Sequence, residues 1–282
     1  MLDIAIIGSG PAALSAALNC LQRNKTVKVF GRSLDSSLLF TAEKVDNYLG
    51  MPQMSGEEML NTFFRHAIKK GVEIQECRIT QILPMGEHFM INAENEFIEA
   101  KAIIIATGLS KSKSIPGEGE LLGKGVSYCA TCDGMLYKNK KVVVVGENSE
   151  GEEDANFLSE ICSHVTYIPR YDEVIHLKEN IEVRRGQPQK VEGDEKVTGL
   201  LLDGELIECD GAFFIKNTIP PDNLIYGLEL NQGSVKTDRS MRTNLKHVYA
   251  AGDCTGAPYQ IAKAVGEGLI AALSAVSDLD KK

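Results

Sequence analysis

Cys129 and Cys132, separated by Ala130 and Thr131 and followed at once by Asp133, are the side chains of this sequence best suited to chemistry. Two thiols at that spacing can close a small disulfide ring, and where the second thiol begins a helix the dipole stabilises its thiolate. Asp133 can give up or take back a proton as such a dithiol opens and closes. A zinc site needs two more ligands. There is no second CxxC, and Cys162 with His164 is the only other near pair, so no metal is expected. Two structural cysteines would leave the neighbouring acid without a purpose. The pattern points to thiol–disulfide exchange.

The start of the chain carries a different signal. Residues 4–7 are an apolar run suited to a buried parallel strand, Gly8-Ser9-Gly10-Pro11-Ala12-Ala13 follows, and a helix pattern covers residues 13–21. This is GxGxxA in the strand, turn and helix context of a dinucleotide site. Gly8 permits the tight turn, Gly10 lets the backbone approach a diphosphate, and Ala13 allows close helix packing. The next strand, residues 26–30, ends at Gly31 and Arg32, where an acidic partner for a ribose is looked for and missing. Two further apolar strands, 102–106 and 248–251, run into Thr107-Gly108 and Gly252-Asp253. Asp253 can hydrogen-bond a ribityl or ribose hydroxyl from such a strand end.

A second unit of the same shape begins at residues 141–145, but its turn reads Gly146-Glu147-Asn148-Ser149-Glu150-Gly151-Glu152-Glu153-Asp154. Five carboxylates suit the start of a helix yet repel a diphosphate, and the Asn148 side chain keeps the backbone away from one. After the strand at 165–168 comes Pro169-Arg170-Tyr171-Asp172, where a 2′-phosphate requires a basic cluster. The expectation is a nucleotide-type scaffold that no longer binds a nicotinamide dinucleotide; a divergent turn that still binds one weakly is the alternative.

The elements that must position these groups alternate strand and helix, which defines an α/β protein, and 282 residues suffice for two domains. No apolar run approaches the roughly 18 residues that span a bilayer. No basic segment or cleavage site precedes the first strand, so a soluble, cytoplasmic protein is expected. The formal charge of −9 argues against a nucleic-acid partner, and seven scattered cysteines do not suit a disulfide framework.

Together these stretches resemble the low-molecular-weight thioredoxin reductases over nearly the whole chain. The resemblance rests on residues 6–13, Asp46-Asn47-Tyr48-Leu49-Gly50, residues 104–108, Gly125-Val126-Ser127-Tyr128-Cys129-Ala130-Thr131-Cys132-Asp133-Gly134, and residues 248–253 and 260–268. It implies two Rossmann-like, three-layer ββα domains, the second inserted into the first: residues 1–113 and 219–282 on FAD, and 114–218 carrying the CxxC and a degenerate NADPH-type site. It implies FAD contacts at Gly8, Ser9, Gly10, Pro11, Ala12, Ala13, Asn47, Thr107, Gly108, Gly252, Asp253, Gln260 and Ile261, and a homodimer. In this likeness Cys132 faces the flavin, Cys129 attacks the substrate disulfide, and Asp133 is the acid–base partner.

The chain departs from that family at Ser36-Ser37-Leu38-Leu39, where Gly-Gly-Gln-Leu is usual, and at Tyr259-Gln260-Ile261, where Arg-Gln-Ala is common. The largest departures are the turn after Gly146 and Pro169-Arg170-Tyr171 in place of His-Arg-Arg. Two losses at contacts of one ligand resemble the ferredoxin-dependent flavin thioredoxin reductases. The expected path runs from ferredoxin through FAD and the cysteine pair to thioredoxin. The central domain is expected to turn about connections near residues 112–118 and 216–222, and Lys111, Lys113, Lys138, Lys140 and Lys141 are candidates to meet an acidic ferredoxin. Three alternatives stand beside this: an NADPH-dependent reductase with an atypical site, an FAD-dependent dithiol oxidase, and a flavoprotein serving only as a redox-responsive binding partner.

Overall fold

A parallel strand covered on both faces must be apolar almost throughout, and β1 (Leu2–Ile7) meets that demand, with Ile4, Ala5 and Ile6 fully buried. It leads into α1 (Pro11–Leu21), with Pro11 in the first helical turn and Ala12, Ala13, Ala16 and Ala17 facing inward. β2 (Val27–Gly31) pairs in parallel with β1. α2 (Gly56–Lys69) opens with a Ser55–Glu58 capping box and precedes β3 (Glu73–Glu76), which extends the sheet beyond β2. β4 (Ile79–Pro84), β5 (Phe89–Ala93) and β6 (Glu96–Ile105) follow as an antiparallel meander, and the last part of β6 returns to pair in parallel with β1. β6 exceeds the apolar run at 102–106 because its outer part, paired with β5, is largely exposed and carries no continuous apolar signal.

The computed structural model describes residues 1–94, 96–109, 114–216 and 219–281. After β6 the chain builds β7 (Val126–Ser127), the short α3 (Ala130–Asp133), β8 (Lys141–Gly146), α4 (Glu150–Ser159), β9 (His164–Pro169) and β10 (Glu182–Val183). β11 (Pro188–Gly193), β12 (Val197–Leu202) and β13 (Glu205–Glu208) form a separate antiparallel sheet. β14 (Gly211–Ile215) then joins a parallel five-stranded sheet in the order β10-β9-β8-β14-β7. Val142, Val144, Tyr167, Phe213 and Ile215 share its core with Ala155 and Leu158 of α4.

The chain continues through α5 (Pro221–Leu224) and the hairpin of β15 (Leu230–Asn231) and β16 (Ser234–Val235) to β17 (Val248–Ala250), which pairs in parallel with β6. α6 (Ile261–Asp280) then lies on α1 so closely that a Cβ on Gly268 would stand 2.2 Å from the Ala12 carbonyl oxygen. Two units result, Met1–Leu109 with Leu224–Lys282, and Ser110–Asn223. Each is Rossmann-like, and the second interrupts the first in the chain. Among the described residues no helix is long and apolar enough to cross a membrane.

Candidate functional site

The first turn is shaped by what it leaves out. Gly8 has φ +120°, and a Cβ there would stand 2.1 Å from the Ala106 carbonyl oxygen, so only glycine fits. Gly10 caps α1, and beyond its chain neighbours nothing lies within 4 Å of where its Cβ would be, which leaves room over the first helix amides beside Pro11, Ala12 and the buried Ala13. Ser9 Oγ donates to the Arg32 carbonyl at 2.9 Å. Gly31 must be small for the same reason, since its Cβ would stand 2.7 Å from that of Ser9. An acidic residue at 31 would collide with Ser9.

The pairing of Ile7 with Ile105, and of Ile105 with Ala250, brings three strand ends side by side. Gly8 to Ala13, Thr107 with Gly108, and Gly252 with Asp253 therefore gather at the carboxyl edge of one sheet, where open α/β sheets bind ligands. Thr107 Oγ1 is buried there without a partner. An unsatisfied buried hydroxyl costs about 1–3 kcal/mol, and a bound hydrogen-bonding group would remove that cost. Burial raises the Asp253 carboxyl above its usual range, Lys263 opposes this, and Glu267 adds to it.

A clamp the sequence reading did not find fixes this turn. Gly252 N–H donates to Glu267 Oε2 at 2.9 Å, while Lys263 Nζ donates to the carbonyls of Gly252 and Gly256 at 2.8 and 2.6 Å. Its one sequence signal is a Lys–Glu pair four residues apart at the start of α6. Asn47 Nδ2 donates to Gln260 Oε1 at 2.9 Å, so those two expected contacts bond each other, and half-buried Ile261 begins α6. The open room at Gly10 and the orphaned Thr107 hydroxyl fit a dinucleotide.

In the second unit Cys129 and Cys132 are joined as a disulfide with Cα atoms 5.3 Å apart, inside the usual range. The helix begins at Ala130, not at Cys132. Cys129 is its N-cap and accepts the Cys132 N–H at 3.2 Å, so the helix start addresses the first sulfur and not the second, as the sequence reading had it. Ser127 Oγ donates to Asp133 Oδ2 at 2.6 Å and accepts the Cys129 N–H at 3.0 Å, linking the acid to the backbone of the pair. Cys129 is buried and Cys132 exposed. Burial pushes the thiols of Cys20, Cys77, Cys209 and Cys254 up to about 12 and that of Cys162 to about 11, so these stay protonated and inert. Among the described residues no cluster of three or more His, Cys, Asp or Glu could hold a metal ion.

The turn between β8 and α4 differs from the first. Glu147 N–H donates to the Ile215 carbonyl at 2.9 Å, and Glu150 N–H to Asn148 Oδ1 at 3.0 Å, so the Asn148 side chain folds back onto the helix start. One carboxylate counted as repelling a ligand is not at the surface. Glu152 is only 1% exposed and accepts hydrogen bonds from the Tyr171 hydroxyl at 2.5 Å and the Ile175 N–H at 3.1 Å. Burial pushes its carboxyl up, but these bonds and that of His176 N–H outweigh it and hold the group below its usual range. Arg170 is engaged by the Gly186 carbonyl at 2.7 Å and by Gln187. Lys138, Lys140 and Lys141 are exposed, and Lys111 and Lys113 lie outside the described residues.

Fold, first turn and joined cysteines define an FAD-dependent disulfide oxidoreductase. The chain belongs to the pyridine nucleotide-disulphide oxidoreductase family, which matches residues 2–268. It is 34% identical over 311 residues to the thioredoxin reductase of Helicobacter pylori, covering 99% of each chain. It is 33% identical to a polypeptide of the alkyl hydroperoxide reductase of Escherichia coli, over 97% of this chain but only 57% of that longer protein. A crystal structure of a ferredoxin-flavin thioredoxin reductase from Clostridium acetobutylicum is 46% identical with a TM-score of 0.86, covering 99% of this chain and 98% of that one. The protein is a homologue of the thioredoxin reductases.

Proposed function

We propose that the protein takes electrons from reduced ferredoxin rather than NADPH and passes them, through FAD and the Cys129–Cys132 pair, to the disulfide of thioredoxin. One observation carries this reading: an intact cysteine pair, with its acid in place, shares a unit with a nucleotide-type turn whose amides bond their own chain. The likeness to the Clostridium acetobutylicum protein supports it. Gly8, Ser9, Gly10, Pro11, Ala12 and Ala13 would hold the diphosphate of FAD, and Asn47, Thr107, Gly108, Gly252, Asp253, Gln260 and Ile261 would supply its further contacts. Bound FAD supplies the exchange between single-electron donors and a two-electron disulfide.

Reduction of the Cys129–Cys132 bond adds two electrons and one proton, which leaves a Cys132 thiol and a Cys129 thiolate, and the two thioredoxin thiolates released later take their protons from water. The exposed Cys132 sulfur receives the electrons, and Cys129 leaves as the thiolate. The Cys129 thiolate then attacks one sulfur of thioredoxin, forming a mixed disulfide as the thioredoxin bond breaks. Cys132 displaces the second thioredoxin thiolate and re-forms the starting bond. Asp133, oriented by Ser127, takes the Cys132 proton in that last step and returns it in the next cycle. Because one cysteine pair must meet the flavin and then a bulky protein, the central segment 114–218 would turn about its connections near residues 112–118 and 216–222; residues 112, 113, 217 and 218 lie outside the described residues. Lys138, Lys140 and Lys141 offer positive charge to an acidic ferredoxin, and the working form is a cytoplasmic homodimer.

The test is anaerobic. Holoprotein is mixed with reduced ferredoxin or with NADPH, and flavin absorbance and thioredoxin thiols are followed. Ferredoxin should bleach the flavin and sustain thioredoxin reduction; rapid bleaching by NADPH overturns the reading.

A further inference from the structure

We propose that Tyr167, Tyr171 and Glu152 occupy the place of a nucleotide in the second unit, and that this internal filling, more than the charge of the turn, is what excludes one. The inference rests on the reading of the protein as independent of NADPH. In a nucleotide-binding turn the first glycine allows the tight turn, the second lets a diphosphate approach and the third lets the helix pack close beneath it. At Gly146 and Gly151 the smallness of glycine is already used. A Cβ at Gly146 would stand 2.2 Å from the Tyr167 hydroxyl oxygen, and one at Gly151 would stand 2.7 Å from it. The side chain rises from β9, fully buried, and its hydroxyl stands against both ends of the turn.

The filling is held by a chain of hydrogen bonds. Tyr171, just after β9, gives its single proton to Glu152 Oε1 at 2.5 Å, so it must accept from Tyr167, whose hydroxyl is 2.9 Å away. Glu152 also takes the N–H groups of Ile175 and His176, which draws the segment after β9 over the start of α4. That is the region where a ribose and its 2′-phosphate are recognised in folds of this kind. The first turn is the opposite case, with open space at Gly10 and an unpartnered Thr107 hydroxyl.

Charge and filling make different predictions. Repulsion by carboxylates is screened by salt, whereas a hydroxyl in the ligand's place is not. The probe is 2′-phospho-ADP-ribose, which cannot reduce a flavin, titrated calorimetrically into FAD-loaded protein at low and high salt. Wild type should fail to bind at either. The Tyr167→Leu, Tyr171→Ala double variant should bind at least about tenfold tighter than wild type. Binding by wild type as salt rises, or a folded double variant that binds no better, overturns the proposal.

A second measurement needs no ligand. Gly146→Ala should lower the Tm, and Tyr167→Leu in the same chain should relieve that loss, because the three nearest atoms its Cβ would meet all belong to the Tyr167 side chain; strictly additive effects count against the filling. The two readings fail separately. Bleaching of wild-type flavin by NADPH sinks the proposed function, whereas a double variant without binding, in a protein still untouched by NADPH, sinks only the role of the tyrosines.

Discussion

Gly8 and Gly10 stand two residues apart and do opposite work, which makes them a matched experiment. At Gly8 a methyl group meets the Ala106 carbonyl, and its φ of +120° disfavours any side chain. Gly8→Ala should cost at least about 1–2 kcal/mol from conformation alone and lower both Tm and FAD content. Gly10 has φ −80° and open space beside it, so Gly10→Ala should leave the fold intact while filling the room proposed for the diphosphate. Its Tm without FAD should match wild type and its FAD affinity should fall; unchanged affinity would refute the assignment of that space. Asp133 is tested in the same way. Asp133→Asn keeps a polar group beside Ser127 but cannot take a proton, so thioredoxin reduction should drop about 100-fold or more, with the disulfide still forming. An activity within a few-fold of wild type would remove Asp133 from the proton path.

Between elements, one buried ion pair ties the turn ahead of the cysteines to the residue that follows β14. Glu118 is 0% and Lys216 3% exposed, and their charged groups meet at 2.5 Å. The Tyr128 hydroxyl donates to the same Glu118 oxygen at 2.6 Å, and Asn223 Nδ2 donates to Tyr128 at 2.7 Å. Tyr128 immediately precedes Cys129, so the pair sets where the redox segment starts. Lys216→Met leaves a buried carboxylate without its cation and should cost about 3–5 kcal/mol in urea unfolding, with Glu118→Gln in the same chain recovering much of it. A cost under about 1 kcal/mol would mean the carboxylate finds other partners. None of this network was legible in the sequence, because Glu118 and Lys216 meet only through the fold and each reads as a surface charge. β1 and β8 were legible because strands covered on both faces are nearly continuous apolar runs, and β9 was because Val165, Tyr167 and Ile168 are β-formers in the same buried setting despite Thr166. The β4–β5 hairpin and the β11–β13 sheet were not, since buried and more exposed residues are interleaved along them and they lack a continuous apolar run, although Asp203-Gly204 between β12 and β13 is a strong hairpin signal that the sequence does offer. The first turn and the cysteine pair were legible because their chemistry depends on close spacing in the chain. Glu152 was misread as a repelling surface charge for the converse reason: its partners Tyr171, Ile175 and His176 lie about twenty residues on.

At the scale of the whole molecule, three carboxylates spread over both units decide how the protein meets acid. Burial pushes Asp3 up, but hydrogen bonds from Lys101 and Thr26 outweigh it and bring its pKa down to about 2. Asp278 is held well below the usual range, first by the two-pronged contact from Arg242 at 2.8 and 3.1 Å, then by Lys281 and Tyr249. Glu152 is lowered in the second unit. A carboxylate whose folded pKa is depressed adds stability above its unfolded value, near about 4, and loses it as pH falls through the folded value. Asp253 works the other way, because its raised pKa means that protonation on acidification relieves a cost. One group of that sign stands against these three, with the more exposed Glu58, Glu160 and Glu182 lowered as well, so Tm should be nearly level above about pH 5 and fall steadily from about pH 4 towards 2. Asp278→Asn should lower Tm at neutral pH and flatten the acid slope of FAD release, since Asp278 belongs to the unit proposed to hold FAD. A variant whose FAD-release slope between about pH 5 and 2 overlays that of wild type would show that the Arg242–Asp278 contact contributes nothing to acid stability.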